Sequence, residues 1–181
     1  ECTTVPVPVD WDHPGSGRIG IAIGRLKATD PAHRIGVLFA APGGPGASGI
    51  DRYLGNRESL ASGELRKRFD IITWDQRGVG RSSQIKCGAA LLDRFPGSYP
   101  ASEEEYRDLL AYNAELGADC RARSGPVFDH ADTLSAVRDL DVLTDIGHRT
   151  PEGDRAELGY PGGGPEWLIT ELGVFDYADG H

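Results

Sequence analysis

Residues 35–49 read Ile35-Gly36-Val37-Leu38-Phe39-Ala40-Ala41-Pro42-Gly43-Gly44-Pro45-Gly46-Ala47-Ser48-Gly49. A continuous apolar run, Ile35 to Ala40, ends at a turn signal, which predicts a strand covered on both faces inside a mostly parallel sheet. The loop after it is built from glycine and proline. Glycine lets the backbone take a positive φ or approach a ligand closely, and proline fixes the turn between, so a rigid loop with outward-facing N–H groups is expected. Such a loop suits an anion or a developing oxyanion. The same composition also serves simply to reverse the chain, and both readings stand at this point.

Downstream, Phe69-Asp70-Ile71-Ile72-Thr73-Trp74-Asp75 is a second interior strand, and it too runs into a glycine-containing loop, Gln76-Arg77-Gly78-Val79-Gly80-Arg81-Ser82. Residues 50–68 between them carry Ile50, Tyr53, Leu54, Leu60 and Leu65, a crossover of part helix and part loop because Gly55 and Gly63 interrupt it. Two strands joined by a crossover, each followed by a Gly-rich loop, predict a doubly wound α/β sheet with both loops on the ligand-binding rim.

Upstream, the valines of residues 2–12 alternate between prolines, the pattern of an edge segment, and Ile19, Ile21 and Ile23 mark a strand from Arg18 to Lys27 beyond a turn at 14–17. Past Cys87 the pattern becomes helical. Glu103 to Leu116 offers an apolar stripe of Tyr106, Leu109, Leu110 and Leu116, with Glu103, Glu104 and Glu105 as a solvated first turn favoured by the helix dipole. A second helix is expected from a cap at Asp132 or Thr133 to Ile146, burying Leu134, Val137, Leu140 and either Val142 or Leu143, with Gly147 as its stop. Residues 1–147 thus form one folding region. Residues 148–181 change character: they are rich in Gly and Pro, with a short element expected between Trp167 and Tyr177.

The chain has 181 residues, 39% hydrophobic and 26% charged, an ordinary composition for a globular domain. A net charge of −9 with no dense Lys/Arg grouping argues against a nucleic-acid partner, and no apolar run approaches the length of a membrane span. Cys2, Cys87 and Cys120 fit no metal-ligand spacing, so no metal site is expected. In an oxidising compartment Cys87 and Cys120 would close a loop and stabilise the fold by roughly 3–4 kcal/mol, leaving Cys2 over. In a reducing one all three remain thiols. His130, flanked by Asp129 and Asp132, lacks a second ligand-spaced histidine and reads as a surface residue; His13 and His33 sit in turns.

Together the two loop motifs say more than either alone. Pro42-Gly43-Gly44-Pro45-Gly46 after a buried strand, then Phe69-Asp70 and Asp75-Gln76-Arg77-Gly78-Val79-Gly80-Arg81-Ser82, resemble the α/β-hydrolase serine peptidases of the proline iminopeptidase and secreted tripeptidyl aminopeptidase group. The likeness extends to Val7-Pro8-Val9-Asp10-Trp11, to the cysteines after the second loop and near Ser124-Gly125, and to Thr133 through Leu143. It covers residues 2–147.

The resemblance implies a secreted hydrolase without a cofactor, acting on peptides, whose sheet is here present as its N-terminal portion and incomplete C-terminally. It assigns the backbone N–H of Gly44 as an oxyanion-hole donor, with Gly43, Pro45 and Gly46 supporting its direction. Asp75, Arg77, Gly78, Gly80 and Ser82 would be the scaffold of the neighbouring loop. The nucleophile expected next is a serine in a Gly-x-Ser-x-Gly elbow, and the nearest register, Gly159-Tyr160-Pro161-Gly162-Gly163, places Pro161 there. Proline has no hydroxyl, and its locked φ is incompatible with the elbow. Acid and base would follow the serine in chain order, so His148 and His181 receive no role. Three readings result: the N-terminal segment of a serine exopeptidase, inactive alone; a non-catalytic binding module that keeps the Gly-rich rim; or one subunit of a split hydrolase with a complementing C-terminal chain.

Overall fold

The computed structural model describes residues 1–41, 43–44, 46–55 and 63–148. Strands β1 (Cys2–Pro8), β2 (Arg18–Leu26), β3 (Gly36–Ala40) and β4 (Phe69–Trp74) form a mixed sheet in the order β1-β2-β4-β3. β1 and β2 pair antiparallel from Cys2↔Gly24 to Pro8↔Arg18, β2 and β4 antiparallel from Ile23↔Trp74 to Leu26↔Ile71, and β3 and β4 parallel from Gly36↔Phe69 to Ala40↔Thr73. Because β3 and β4 are parallel, the loops that follow them leave the sheet on the same rim. Pro6 and Pro8 lie on β1, at the end of the strand order, where a missing N–H costs no ladder bond.

Helices cover both faces. On one, Val5, Val7, Ile21, Ile23, Phe39, Ile72 and Trp74 form a core closed by Leu143 of helix α5 (Thr133–His148), and Phe39 meets Trp74 edge-on with ring centroids 6.3 Å apart. On the other, helix α1 (Gly49–Gly55) lies so close that a Cβ on Gly24 would collide with Leu54. Helix α2 (Gly63–Arg68) leads into β4. Beyond the rim come a short helix α3 (Ala89–Leu92), the long helix α4 (Glu103–Ser124) and a 3-10 turn at Gly125–His130.

The α/β reading holds, with corrections to β3, α4 and α5. β3 ends the strand order among the described residues, and only Phe39 of that strand is buried, while β4, with a neighbour on each side, carries the buried run. An apolar run alone does not say which strand sits in the middle.

α4 continues through Gly117 to Ser124, where Gly125 at φ +67° ends it. The buried side chains of α4 are Tyr112 and Cys120 rather than the expected stripe, and Tyr106 and Leu110 are about half exposed. The face is set by the Cys87–Cys120 disulfide and by Phe95, whose ring lies 5.7 Å from that of Tyr112. Glu105 is also more than a solvated charge: Ser102 Oγ accepts from the Glu105 N–H, and the Glu105 carboxylate accepts from the Ala101 N–H, so both groups cap the helix.

α5 starts as expected at Asp132, whose carboxylate accepts from the Ser135 N–H at 2.9 Å and from the Ser135 hydroxyl at 2.7 Å. Those two bonds hold the Asp132 carboxyl below the usual carboxylate range. The helix then runs through Gly147, the expected stop, to His148. Its rotation differs as well. Ser135, Asp139 and Leu143, spaced by one turn, face inward, while Leu134 and Val137 are exposed, because Asp139 is drawn in by Arg77. Leu134→Gln is therefore expected to change the unfolding free energy by no more than about 0.5 kcal/mol in urea titration, as at other surface positions. A loss beyond about 2 kcal/mol would mean that Leu134 is packed.

Candidate functional site

The first rim loop, 41–48, leaves β3 and enters α1. Gly44 and Gly46 take φ +86° and +83°, and a Cβ on either would meet nothing within 4 Å. Backbone conformation, not space, requires glycine there. Gly43, Gly44 and Gly46 are exposed, and among the described residues neither Gly43 nor Gly44 donates its N–H to another backbone group. Pro45 lies outside the described residues, as do Pro161 and His181.

The second loop turns around Asp75, which is wholly buried. One carboxylate oxygen accepts from Ser48 Oγ at 2.6 Å and from the Ile50 N–H at 3.1 Å; the other accepts from the Arg81 N–H at 2.9 Å. Gly80 passes so close to that second oxygen that a Cβ there would overlap it. Ser82 is equally buried. Its hydroxyl donates to the Asp75 carbonyl at 2.6 Å and accepts from the Ala22 N–H at 2.8 Å, which ties the loop to β2. Gly78 packs against Ile85 and bonds back to the Ser82 carbonyl at 2.8 Å.

Arg77 points away from the first loop and is 4% exposed. Its Nε and one terminal nitrogen donate to the two oxygens of Asp139 at 2.8 and 2.7 Å, and the remaining bonds reach the carbonyls of Pro8, Val9 and His130. Each of the five guanidinium N–H groups is thus used. Trp11 Nε1 adds a bond to Asp139 at 3.0 Å. Arg77 therefore joins β4, the end of β1, the 3-10 turn and α5.

The candidate residues fall into two groups. Gly43, Gly44 and Gly46 sit at an exposed loop tip joined through Ser48 to Asp75, with Gly80 and Ser82 behind it. Gly78 bonds to Ser82 in that group, and the Arg77 side chain belongs to a separate brace. Three contributors were not singled out from the sequence: Asp139 and Trp11, which complete the Arg77 site, and Arg81, whose side chain pairs with Asp51 of α1 at 2.8 Å across the two loops. The Asp51 hydrogen bond raises the Arg81 guanidinium pKa, and Arg81 holds the Asp51 carboxyl below its ordinary value. Both groups are exposed and screened.

Cys87 and Cys120 are bonded, and exposed Cys2 is a free thiol. His13 and His33 form exposed pairs with Asp10 and Asp30, each at 2.8 Å, and the His13–Asp10 bond raises the imidazole pKa and lowers that of the carboxyl. His130 contributes its backbone carbonyl to Arg77. The imidazoles of His13 and His33 bond to carboxylates rather than to a hydroxyl or thiol. Among the described residues no cluster of His, Cys, Asp and Glu is suited to a metal, and no helix is long and apolar enough to cross a membrane.

No family model matches the chain. Individual proteins do. It is 35% identical over 153 residues to the tripeptidyl aminopeptidase of Streptomyces lividans, covering 79% of this chain and 28% of that protein. It is 33% identical over 154 residues to carboxylesterase B of Mycobacterium tuberculosis (strain ATCC 25618 / H37Rv), covering 78% of the chain and 28% of the relative. It is 33% identical over 147 residues to the serine protease Hip1 of the same strain, again covering 78% and 28%. The curated homologues of this chain are hydrolases, serine peptidases among them, in keeping with the paired loop motifs. The matched part spans less than a third of each relative's length.

Proposed function

We propose that this chain is the N-terminal, oxyanion-supplying segment of an α/β-hydrolase serine exopeptidase that acts at the N-terminus of peptides, releasing tripeptidyl or prolyl units. The observation that carries the reading is the rim. Two loops at the carboxyl ends of parallel neighbouring strands are locked together through Asp75, and they present the exposed positive-φ glycines Gly44 and Gly46. A fixed backbone N–H at such a place is suited to a carbonyl oxygen as it becomes negative, and one such donor is worth roughly 3–4 kcal/mol of transition-state stabilisation.

In the complete reaction a serine hydroxyl attacks the scissile carbonyl, a histidine takes its proton and passes it to the leaving amine, and water then releases the acyl-enzyme. This chain supplies the Gly44 N–H for the tetrahedral stage, with Gly43, Pro45 and Gly46 shaping the loop. Serine, acid and imidazole come from a complementing C-terminal part, because Pro161 occupies the nearest elbow register. No cofactor enters. Residues 1–147 form the hydrolase portion and residues 148–181 a divergent tail. The Cys87–Cys120 disulfide favours secretion, since such bonds persist in oxidising compartments.

Two measurements test the reading. The purified chain is expected to release no p-nitroaniline from tripeptidyl p-nitroanilides, and clear turnover would refute the missing nucleophile. A chimera joining residues 1–147 to the remaining part of the Streptomyces lividans relative is expected to hydrolyse the same substrates. A folded but inactive chimera would count against the assignment.

A further inference from the structure

Gly43, Gly44 and Gly46 have no side chains by which packing could hold them, so the bonds at the two ends of the loop matter for their conformation. At the first end, the hydroxyl of Tyr53 donates to the Ala41 carbonyl at 3.1 Å. At the other, Ser48 Oγ donates to Asp75 at 2.6 Å while accepting from the Asp51 N–H at 3.0 Å, so one oxygen both caps α1 and fastens the loop to β4. Asp75 is a fixed post. Its own N–H donates to Ala22 on β2 at 3.0 Å, its carbonyl accepts from Ser82, and its second carboxylate oxygen accepts from the Arg81 N–H.

We infer that Ser48 and Asp75 form a clasp that passes the rigidity of the sheet to the Gly43 and Gly44 amides, with Ser48 acting as a positioning residue. Capping alone would not require the second bond, since an N-cap hydroxyl needs only to accept from the helix. Here the hydroxyl proton is directed to a buried carboxylate 27 positions away in the chain. The catalytic consequence rests on the proposal that the Gly44 amide faces the acyl oxygen; the mechanical one does not.

The test uses the full 181-residue chain, labelled with nitrogen-15, as wild type, Ser48→Ala and Ser48→Thr. In Ser48→Ala the Gly43 and Gly44 amides are expected to lose order, with order parameters falling from about 0.85 toward 0.6, while the β4 amides keep their wild-type values. Ser48→Thr, which keeps a hydroxyl, restores the glycines. Unchanged glycines in Ser48→Ala, loss of order that extends equally through β4, or failure of threonine to restore them would overturn the clasp. In the chimera, Ser48→Ala is expected to lower kcat about 10- to 100-fold with KM nearly constant, as for a misplaced catalytic group. Mobile glycines together with an inactive parent chimera would leave the clasp standing and reject the peptidase reading instead.

Discussion

Asp139→Ala is expected to lower the unfolding free energy by roughly 3–5 kcal/mol, the usual result of removing one partner from a buried ion pair. The loss follows from what remains behind. Arg77 would stay charged and buried, with its Nε and one terminal N–H facing a cavity in place of carboxylate oxygens at 2.8 and 2.7 Å, and Trp11 Nε1 would lose its acceptor as well. The carbonyls of Pro8, Val9 and His130 would still hold the guanidinium in place, so the side chain has no easy route to solvent.

A double-mutant cycle sharpens the expectation. Replacing both members of a buried pair by apolar residues of similar volume is often close to neutral, yet here Arg77→Met with Asp139→Leu should recover only part of the loss. The three carbonyls that Arg77 serves would then be buried without donors. Urea titration of the two single variants and the double variant measures this. Full recovery in the double variant would show that the carbonyl bonds contribute little.

Much of the sheet was legible because its signals are local. The alternating isoleucines of β2 and the apolar run of β4 need no knowledge of the rest of the chain, and the prolines of β1 place it at an edge. The rim loops were readable for a similar reason: few conformations satisfy Gly43-Gly44-Pro45-Gly46 or Gly78-Val79-Gly80. What the sequence hid was pairing at a distance. Leu134 and Val137 share a spacing with Leu140, which packs against the core, yet both are exposed because Asp139 turns that helix toward an arginine 62 positions away. No window along the chain contains both residues. Ser48 caps α1 within a few residues of itself, but its bond to Asp75 depends on two loops meeting in space. The strand order that leaves β3 at the end of the described sheet is likewise a fact of topology rather than composition.

Reducing the Cys87–Cys120 bond, or replacing both cysteines with serine, is expected to cost roughly 3–4 kcal/mol, since the bridge spans a separation of 33 residues and constrains the unfolded chain accordingly. For a chain of this size that corresponds to a fall in Tm of about 6–16 °C. The loss should be felt unevenly. Among the described residues α4 packs chiefly on the 3-10 turn that follows it, not on the sheet. Its other ties to the segment after the rim loop are local: Ser124 Oγ bonds to the Lys86 backbone at 2.8 and 3.2 Å, and the Asp119 carboxylate accepts from the Gly88 N–H at 2.5 Å. Those bonds are exposed or only partly buried, so without the disulfide they compete directly with water. The β4 amides, held between β2 and β3, do not depend on them. Hydrogen exchange on the reduced chain should therefore show the α4 amides opening well before those of β4. Equal loss in both would mean that α4 and the sheet unfold as one cooperative unit, and that the bridge stabilises the whole domain rather than fastening one helix to its rim.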